Sequence, residues 1–333
     1  MNDPNSAGAL VPASDQTDAR SQALVTLEAL ADETREHLKH SKAANTRRAY
    51  RADWTDFSEW CRQHNRTPLP ASPDTVALYL THCARGLKPS TLQRRMATIS
   101  EAHRAAEHES PTKSTLVRST WQGIRREKGI ATQGKEPALT DHIHCMVEHL
   151  PKGKLLSTRD RALLLVGFAG AMRRSELVGL DFSDVVDTED GLVVTIRRSK
   201  TDQYGSGRKI GIPFGSTPLT CPVRSLRAWI RETGIQEGPL FRAVDRHGKV
   251  SETRLSDRTV ARVVKRALKA AGRDVEKFAG HSLRAGLATQ AAMGGASERS
   301  IQDQTGHKSL LVLRRYIRDG SLFRENAAAK TGL

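Results

Sequence analysis

The chain has 333 residues, 38% of them hydrophobic and 5% aromatic, and carries a formal net charge of +16; that is enough for two hydrophobic cores and too basic for a protein without a polyanionic partner, most often nucleic acid. The basic residues are spread along the chain, which favours folded positive surfaces over a disordered arm. Four scattered cysteines (Cys61, Cys83, Cys145, Cys221) lack paired spacing, no run nears about 18 apolar residues, and no basic-then-apolar leader opens the chain, so a disulfide scaffold, a membrane span and secretion are set aside and the bacterial cytoplasm is expected.

Residues 1–19, rich in Ser, Asp, Asn and Pro, predict a tail without periodic structure. Residues 20–130 predict an all-helical domain. Its first helix covers about 20–40 with Leu24, Leu27, Leu30 and Leu38 on one side. In the second, 45–64, Tyr50, Trp54, Phe57 and Trp60 recur at helical spacing, opposite Arg47, Arg48 and Arg51. Such an aromatic stripe reads as core, and the arginines as candidates to face phosphates. Ser72-Pro73-Asp74 starts a helix that Gly86 ends. Ser90 is expected to cap the next one, with Leu92, Met96 and Ile99 inside and Arg94 and Arg95 outside. A helix over 114–128 closes the domain on Arg125, Arg126 and Lys128, which with Arg94 and Arg95 are candidates either for phosphate contacts or for a merely solvated face. The linker is placed at 131–138, where the chain is polar and contains Gly.

Residues 139–320 predict an α+β domain. Helices over 140–150 and 158–170 precede Met172-Arg173-Arg174-Ser175-Glu176-Leu177. Leu192–Arg198 and Arg208–Pro213 read as the strands of a β-hairpin turning through 202–207. Helices follow over 222–233, 257–271, 282–293, 297–305 and 309–317, and residues 321–333 form a short end segment. His142, His144, Cys145 and His149 crowd one helix, but their spacing points them in several directions, so no metal site is expected there.

The residues that carry chemistry are Arg173, Lys200 on the hairpin, His281 with Arg284, His307 and Tyr316. Positions i and i+3 share a helix face, so His281 and Arg284 can address one group. Cutting a phosphodiester without a metal needs a preset cation for the charge on the non-bridging oxygens, and the arginine fork suits it. The leaving oxygen needs a proton, which a lysine can give. A tyrosine is a weak nucleophile at its ordinary pKa of about 10 and needs such surroundings. Taken singly, each of these residues is commonly structural; their occurrence together and in order is what argues for a site.

In that order they resemble the tyrosine recombinase (phage integrase) family of site-specific recombinases. The family's motifs match Met172-Arg173-Arg174-Ser175-Glu176-Leu177, the hairpin Arg198-Ser199-Lys200-Thr201, the His-x-x-Arg run His281–Arg284, Gly306-His307, and Tyr316 within Arg315-Tyr316-Ile317. Arg174 departs from the pattern, since many members carry an apolar residue there. The resemblance covers about 41–320. It implies a mainly α fold: a helical, SAM-like core-binding domain, then an α+β catalytic domain with a small antiparallel sheet, the two forming a C-shaped clamp on DNA. It implies that Arg173 and Arg284 clamp the scissile phosphate, Glu176 supports Arg173 and Lys200 protonates the 5′ oxygen. His281 would move the tyrosine's proton, His307 bond the phosphate, and Tyr316 attack to leave a 3′-phosphotyrosyl enzyme. No cofactor is implied, neither metal nor ATP. The implied partners are double-stranded DNA with a specific site and three further copies of the chain, a tetramer exchanging strands through a Holliday junction, with residues 321–333 either docking on a neighbour or packing on their own domain. Two alternatives stay open at this point: a type IB-like topoisomerase, which would relax plasmids lacking any site, and a non-catalytic DNA-binding protein of the same fold, which would form no adduct.

Overall fold

The structure is a computed structural model that describes residues 29–37, 41–129, 134–200, 202, 204–321 and 331. The chain divides into two compact units, residues 1–132 and 133–333. The expected tail at 1–19, the start of the first helix and most of 321–333 lie outside the described residues, as does 131–133 of the expected linker.

The first unit is helical. After α1 (29–37) come α2 (Ala44–Gln63), α3 (Pro73–Ala84), α4 (Pro89–Ala105) and α5 (Thr115–Lys128). Ser72 and Ser114 cap α3 and α5 by accepting the amides of Thr75 and Val117. Helix α4 begins two residues earlier than expected, with Lys88 rather than Ser90 as its N-cap, because Pro89 presets the first helical φ. Helix α2 packs on α4 and α3 on α5 around Phe57, Trp60, Tyr79, Leu80, Leu92, Ile99 and Val117, so most of the aromatic stripe is core.

One polar residue reorganises the outward face of α4. Asp53 is buried on α2, and a carboxylate there must be paired. Its oxygens accept from Arg94 Nε at 2.7 Å and Nη2 at 2.9 Å. Arg95 is drawn inward as well, only 12% exposed, donating to Asp56 at 2.5 Å and to the Tyr79 hydroxyl at 2.6 Å. The expectation that Arg94 and Arg95 lie outward holds for Arg94, which is exposed although its fork is spent on Asp53, and is corrected for Arg95, which belongs to the interior network.

The second unit wraps helices around the buried helix α7 (Leu155–Ala169), preceded by α6 (Thr140–Glu148) and followed by the short α8 (Arg174–Gly179). Strands β1 (Val185–Asp187), β2 (Gly191–Ile196) and β3 (Arg208–Pro213) form an antiparallel sheet in that order. Alternate residues Leu192, Val194 and Ile196 face inward with Ile210 and Ile212, the period expected of a half-buried strand. Then come α9 (Pro222–Thr233), a second hairpin of β4 (Arg242–Val244) and β5 (Val250–Arg254), and α10 (Asp257–Ala270). Helices α11 (Ser282–Met293), α12 (Glu298–Thr305) and α13 (Leu310–Ser321) complete the unit. The sequence reading had not anticipated β1 or the β4–β5 pair, whose strands are too short to show alternation. Among the described residues no helix is long and apolar enough to cross a membrane.

A strap of extended chain crosses α11. The backbone of Ala138 donates to the Ser282 carbonyl at 2.9 Å and lies so close to Gly286 that an added Cβ would sit 1.9 Å from the Ala138 oxygen. Glycine is what allows this approach. The strap thereby presses on the helix whose first turn carries Arg284.

Candidate active site

Arg173 sits in the turn between α7 and α8. Ala171 takes a left-handed φ of +47°, a strain of about 1–2 kcal/mol for a residue with a Cβ. Its carbonyl accepts from Arg284 Nη1 at 2.8 Å, so the strained turn is tied to α11. Glu176, three residues into α8, accepts the Arg173 amide at 2.9 Å and its guanidinium at 2.5 Å. The carboxylate is fully buried, and Arg208 approaches its other oxygen at 3.7 Å.

Arg284 is 1% exposed. Its Nη1 donates to the carbonyls of Ala171 and Thr305, while Nε and Nη2 are buried without a hydrogen-bond partner among the described residues. Those two atoms form one edge of the planar fork, the edge that grips two oxygens of a phosphate or carboxylate. Leaving such donors empty costs on the order of 1–3 kcal/mol each, so the edge is built for an anion. Burial first, then Arg173, lowers the Arg284 pKa to about 10, and the group stays charged at neutral pH.

His281 is the N-cap residue of α11, and its Nε2 lies 3.2 Å from the Tyr316 hydroxyl. The residue is exposed. Desolvation by the surrounding protein, followed by Arg284, Arg173, Arg174 and Lys200, holds it below the ordinary histidine range. It is therefore neutral at pH 7 and able to accept the tyrosine's proton. Tyr316 projects from α13 and packs on Ala288, Ala292, Ile301 and Leu313, with the His307 ring 5.8 Å from its own.

His307 follows Gly306, whose φ of +63° ends α12 in the left-handed turn that glycine favours. Burial, then the charges of Arg284 and Arg173, push its pKa down to about 3. Its Nδ1 lies 2.8 Å from the Thr305 hydroxyl, which is also 2.7 Å from the Ile301 carbonyl. The single hydroxyl proton sets the tautomer. On the carbonyl, it leaves His307 with Nδ1–H and an Nε2 that only accepts; turned to Nδ1, it leaves Nε2–H as a donor. Only the second form can donate to a phosphate oxygen.

Six of the residues expected at the site thus come together: Arg173, Glu176, His281, Arg284, His307 and Tyr316. Lys200 lies exposed on the β2–β3 connection, its charge within reach of His281. Arg174 reaches Asp257 at 3.8 Å with its stem over Gly280, which gives the departure from the family pattern a packing role. Arg314 pairs with Glu298 at 2.9 Å, on the side of α13 away from the tyrosine's chemistry. Arg47, Arg48, Arg51, Arg125, Arg126 and Lys128 are exposed in the first unit. His142 packs on Phe278, and Cys145 lies 4.0 Å from His149; no group of three metal-ligating side chains occurs among the described residues. Sequence reasoning missed Arg208 and Thr305. For Arg208 a signal existed: it shares the inward face of β3 with Ile210 and Ile212, an odd place for a cation.

Residues 138–321 match the model of the phage integrase family, and 34–110 that of the phage integrase N-terminal SAM-like domain. The integrase/recombinase XerD homologue of Selenomonas ruminantium is 42% identical over 303 residues, covering 90% of this chain and 89% of its own. The Cre recombinase of Escherichia phage P1 is 26% identical over 284 residues, 79% of this chain and 80% of that one. Among solved structures, the lambda integrase tetramer bound to a Holliday junction superposes with a TM-score of 0.57 at 19% identity, covering 87% of this chain and 76% of that one.

Proposed function

This chain belongs to the phage integrase family of site-specific tyrosine recombinases, and we propose that Tyr316 is its nucleophile, with the surrounding residues dividing the reaction as follows. The scissile phosphate binds on the open edge of Arg284 and on Arg173, which neutralise its non-bridging oxygens. Tyr316 Oη attacks phosphorus while its proton passes to His281 Nε2. An O–P bond forms to the tyrosine, the P–O5′ bond breaks, and Lys200 supplies the proton that O5′ needs. His307, in its Nε2–H tautomer, donates to a phosphate oxygen. The product is a 3′-phosphotyrosyl enzyme and a free 5′ hydroxyl, and attack by the 5′ hydroxyl of a second strand reverses each step. One phosphoester replaces another of similar energy, so no nucleotide is consumed.

The observation that carries this reading is the 3.2 Å approach of His281 Nε2 to the Tyr316 hydroxyl, beside a buried arginine edge left without hydrogen-bond partners among the described residues. We further assign the exposed basic residues of the first unit, Arg47, Arg48, Arg51, Arg125, Arg126 and Lys128, to the DNA backbone, where they add affinity and salt dependence without choosing sequence. Assembly of four protomers through a Holliday junction, and work in the bacterial cytoplasm at the nucleoid, follow from the same reading. Support for the assembly is the likeness to the lambda integrase tetramer.

Covalent capture tests it. Randomised DNA duplexes are incubated with the full-length protein in EDTA, and those retained after SDS are amplified to give the preferred site. A nicked duplex of that site should then yield an adduct with wild type and none with Tyr316→Phe. An adduct with Tyr316→Phe would remove the nucleophile assignment.

A further inference from the structure

Arg208 opens β3 and belongs to none of the motifs that carry the family resemblance. Its side chain turns inward, 22% exposed, and reaches three acceptors. Nη1 donates to the Gln304 carbonyl at 3.1 Å, Nη2 donates to the Thr305 carbonyl at 3.4 Å, and Nη2 lies 3.7 Å from the Glu176 carboxylate. Two of these acceptors are the ones that orient the phosphate-binding arginines. Glu176 holds the Arg173 guanidinium at 2.5 Å, and the Thr305 carbonyl also accepts from Arg284 Nη1.

Resting on the assignment of Arg173 and Arg284 to the scissile phosphate, we propose that Arg208 is a positioning residue for strand cleavage: it fixes the shared acceptors Glu176 and Thr305, and so sets both phosphate-binding arginines at once. Its second effect is electrostatic. Paired with Arg173 alone, Glu176 would cancel most of the field that Arg173 offers a phosphate. With Arg208 drawing on the same carboxylate, three guanidiniums face one anion, and the site keeps an excess of two positive charges. The pentacovalent transition state, which gathers extra charge on its oxygens, is the species that benefits.

The local structure is shaped around this guanidinium. A Cβ on Gly306 would lie 2.6 Å from Arg208 Nε, so the turn that ends α12 closes against it. A cation among the last carbonyls of a helix also suits the negative end of its dipole. Burial costs Arg208 some of its basicity, Glu176 restores part, and Arg173 opposes it. Arg208 is not assigned a grip on the phosphate in this scheme, because both its Nη groups are committed to the Gln304 and Thr305 carbonyls.

The test uses full-length protein and the duplex recovered by covalent capture with wild type. Arg208→Met and Arg208→Lys are compared on three versions of the nicked duplex: the normal phosphate, a scissile methylphosphonate lacking one non-bridging charge, and a 5′-bridging phosphorothiolate with an easier leaving group. DNA affinity is read by fluorescence anisotropy and cleavage by single-turnover adduct formation. Arg208→Met should bind DNA within a few-fold of wild type and cleave the normal phosphate about 10- to 100-fold more slowly. That loss should shrink to a few-fold on the methylphosphonate, which leans less on clamp charge, and persist on the phosphorothiolate. Arg208→Lys, with charge but no fork, should fall between, and it carries the same comparison should Arg208→Met fail to fold. Normal cleavage by Arg208→Met, or an equal loss on phosphate and methylphosphonate, overturns the proposal. So does relief by the phosphorothiolate, which would place the effect at Lys200. If wild type itself captures no duplex, the nucleophile and clamp assignments fail before Arg208 is reached.

Discussion

Replacing His307 by glutamine should make the catalytic unit less sensitive to acid, although it removes a residue from the site. The folded protein holds His307 near pKa 3, against an ordinary value of 6.5 that the unfolded chain regains. Between those values the unfolded state binds a proton that the folded state refuses, so stability rises with pH across that window. The contribution is intact above pH 6.5, declines as pH falls, and stops changing below about 3. At pH 7 the penalty is about 0.2 kcal/mol; at pH 5 it is about 2 kcal/mol, from the ratio of the two binding polynomials. The residue is 9% exposed, so solvent screening trims this figure little. Wild type and His307→Gln are unfolded in urea at both pH values, followed by hydrogen exchange of peptides from α7 and α9, which report the second unit alone. Wild type should lose roughly 2 kcal/mol more than the variant between pH 7 and 5. The other histidines are common to both proteins, so their contributions cancel. Equal losses would show that burial and the flanking arginines do not hold His307 neutral.

Three further outcomes follow from the same geometry. Cleavage by wild type should fall to half its maximum only below pH 6.5, because His281 is held below the ordinary histidine range. Desolvation, the main cause, persists when DNA binds, and His281→Asn should flatten that limb; a half-maximal rate above pH 7 contradicts the assignment. Glu176→Ala leaves Arg173 and Arg208 facing each other without their carboxylate and should cost about 3–5 kcal/mol in the same urea assay. Loss below about 1 kcal/mol would mean that the pair is solvated. Gly286→Ala drives a Cβ into the Ala138 backbone and should destabilise by about 1–3 kcal/mol, with faster hydrogen exchange at residues 136–140; wild-type protection of that strap would refute the close contact.

Much of this protein was written into local sequence. The aromatic stripe of α2, the Ser72 and Ser114 caps, the alternation of β2 and the turn at Gly306 are governed by neighbours within a few residues, and their periods can be read directly. Short motifs also marked Arg173, Glu176, His281, Arg284, His307 and Tyr316, because each chemical group sits in a recognisable local setting. What the local pattern could not fix was direction and partnership. Arg94 and Arg95 looked alike as an outward pair until Asp56 and Tyr79, on two other helices, held Arg95 in the interior. Arg208 looked like the first residue of a strand until the end of α12 and the start of α8 met it from 96 and 32 positions away. The Thr305 hydroxyl acquired its hold on the His307 tautomer only when the turn at Gly306 brought them within 2.8 Å. Sequence set which groups were available and what each could do chemically. Packing chose which carboxylate each arginine shares and which donors are left over for a phosphate, since burial makes every unpaired charge costly and the fold alone decides who is near enough to pair.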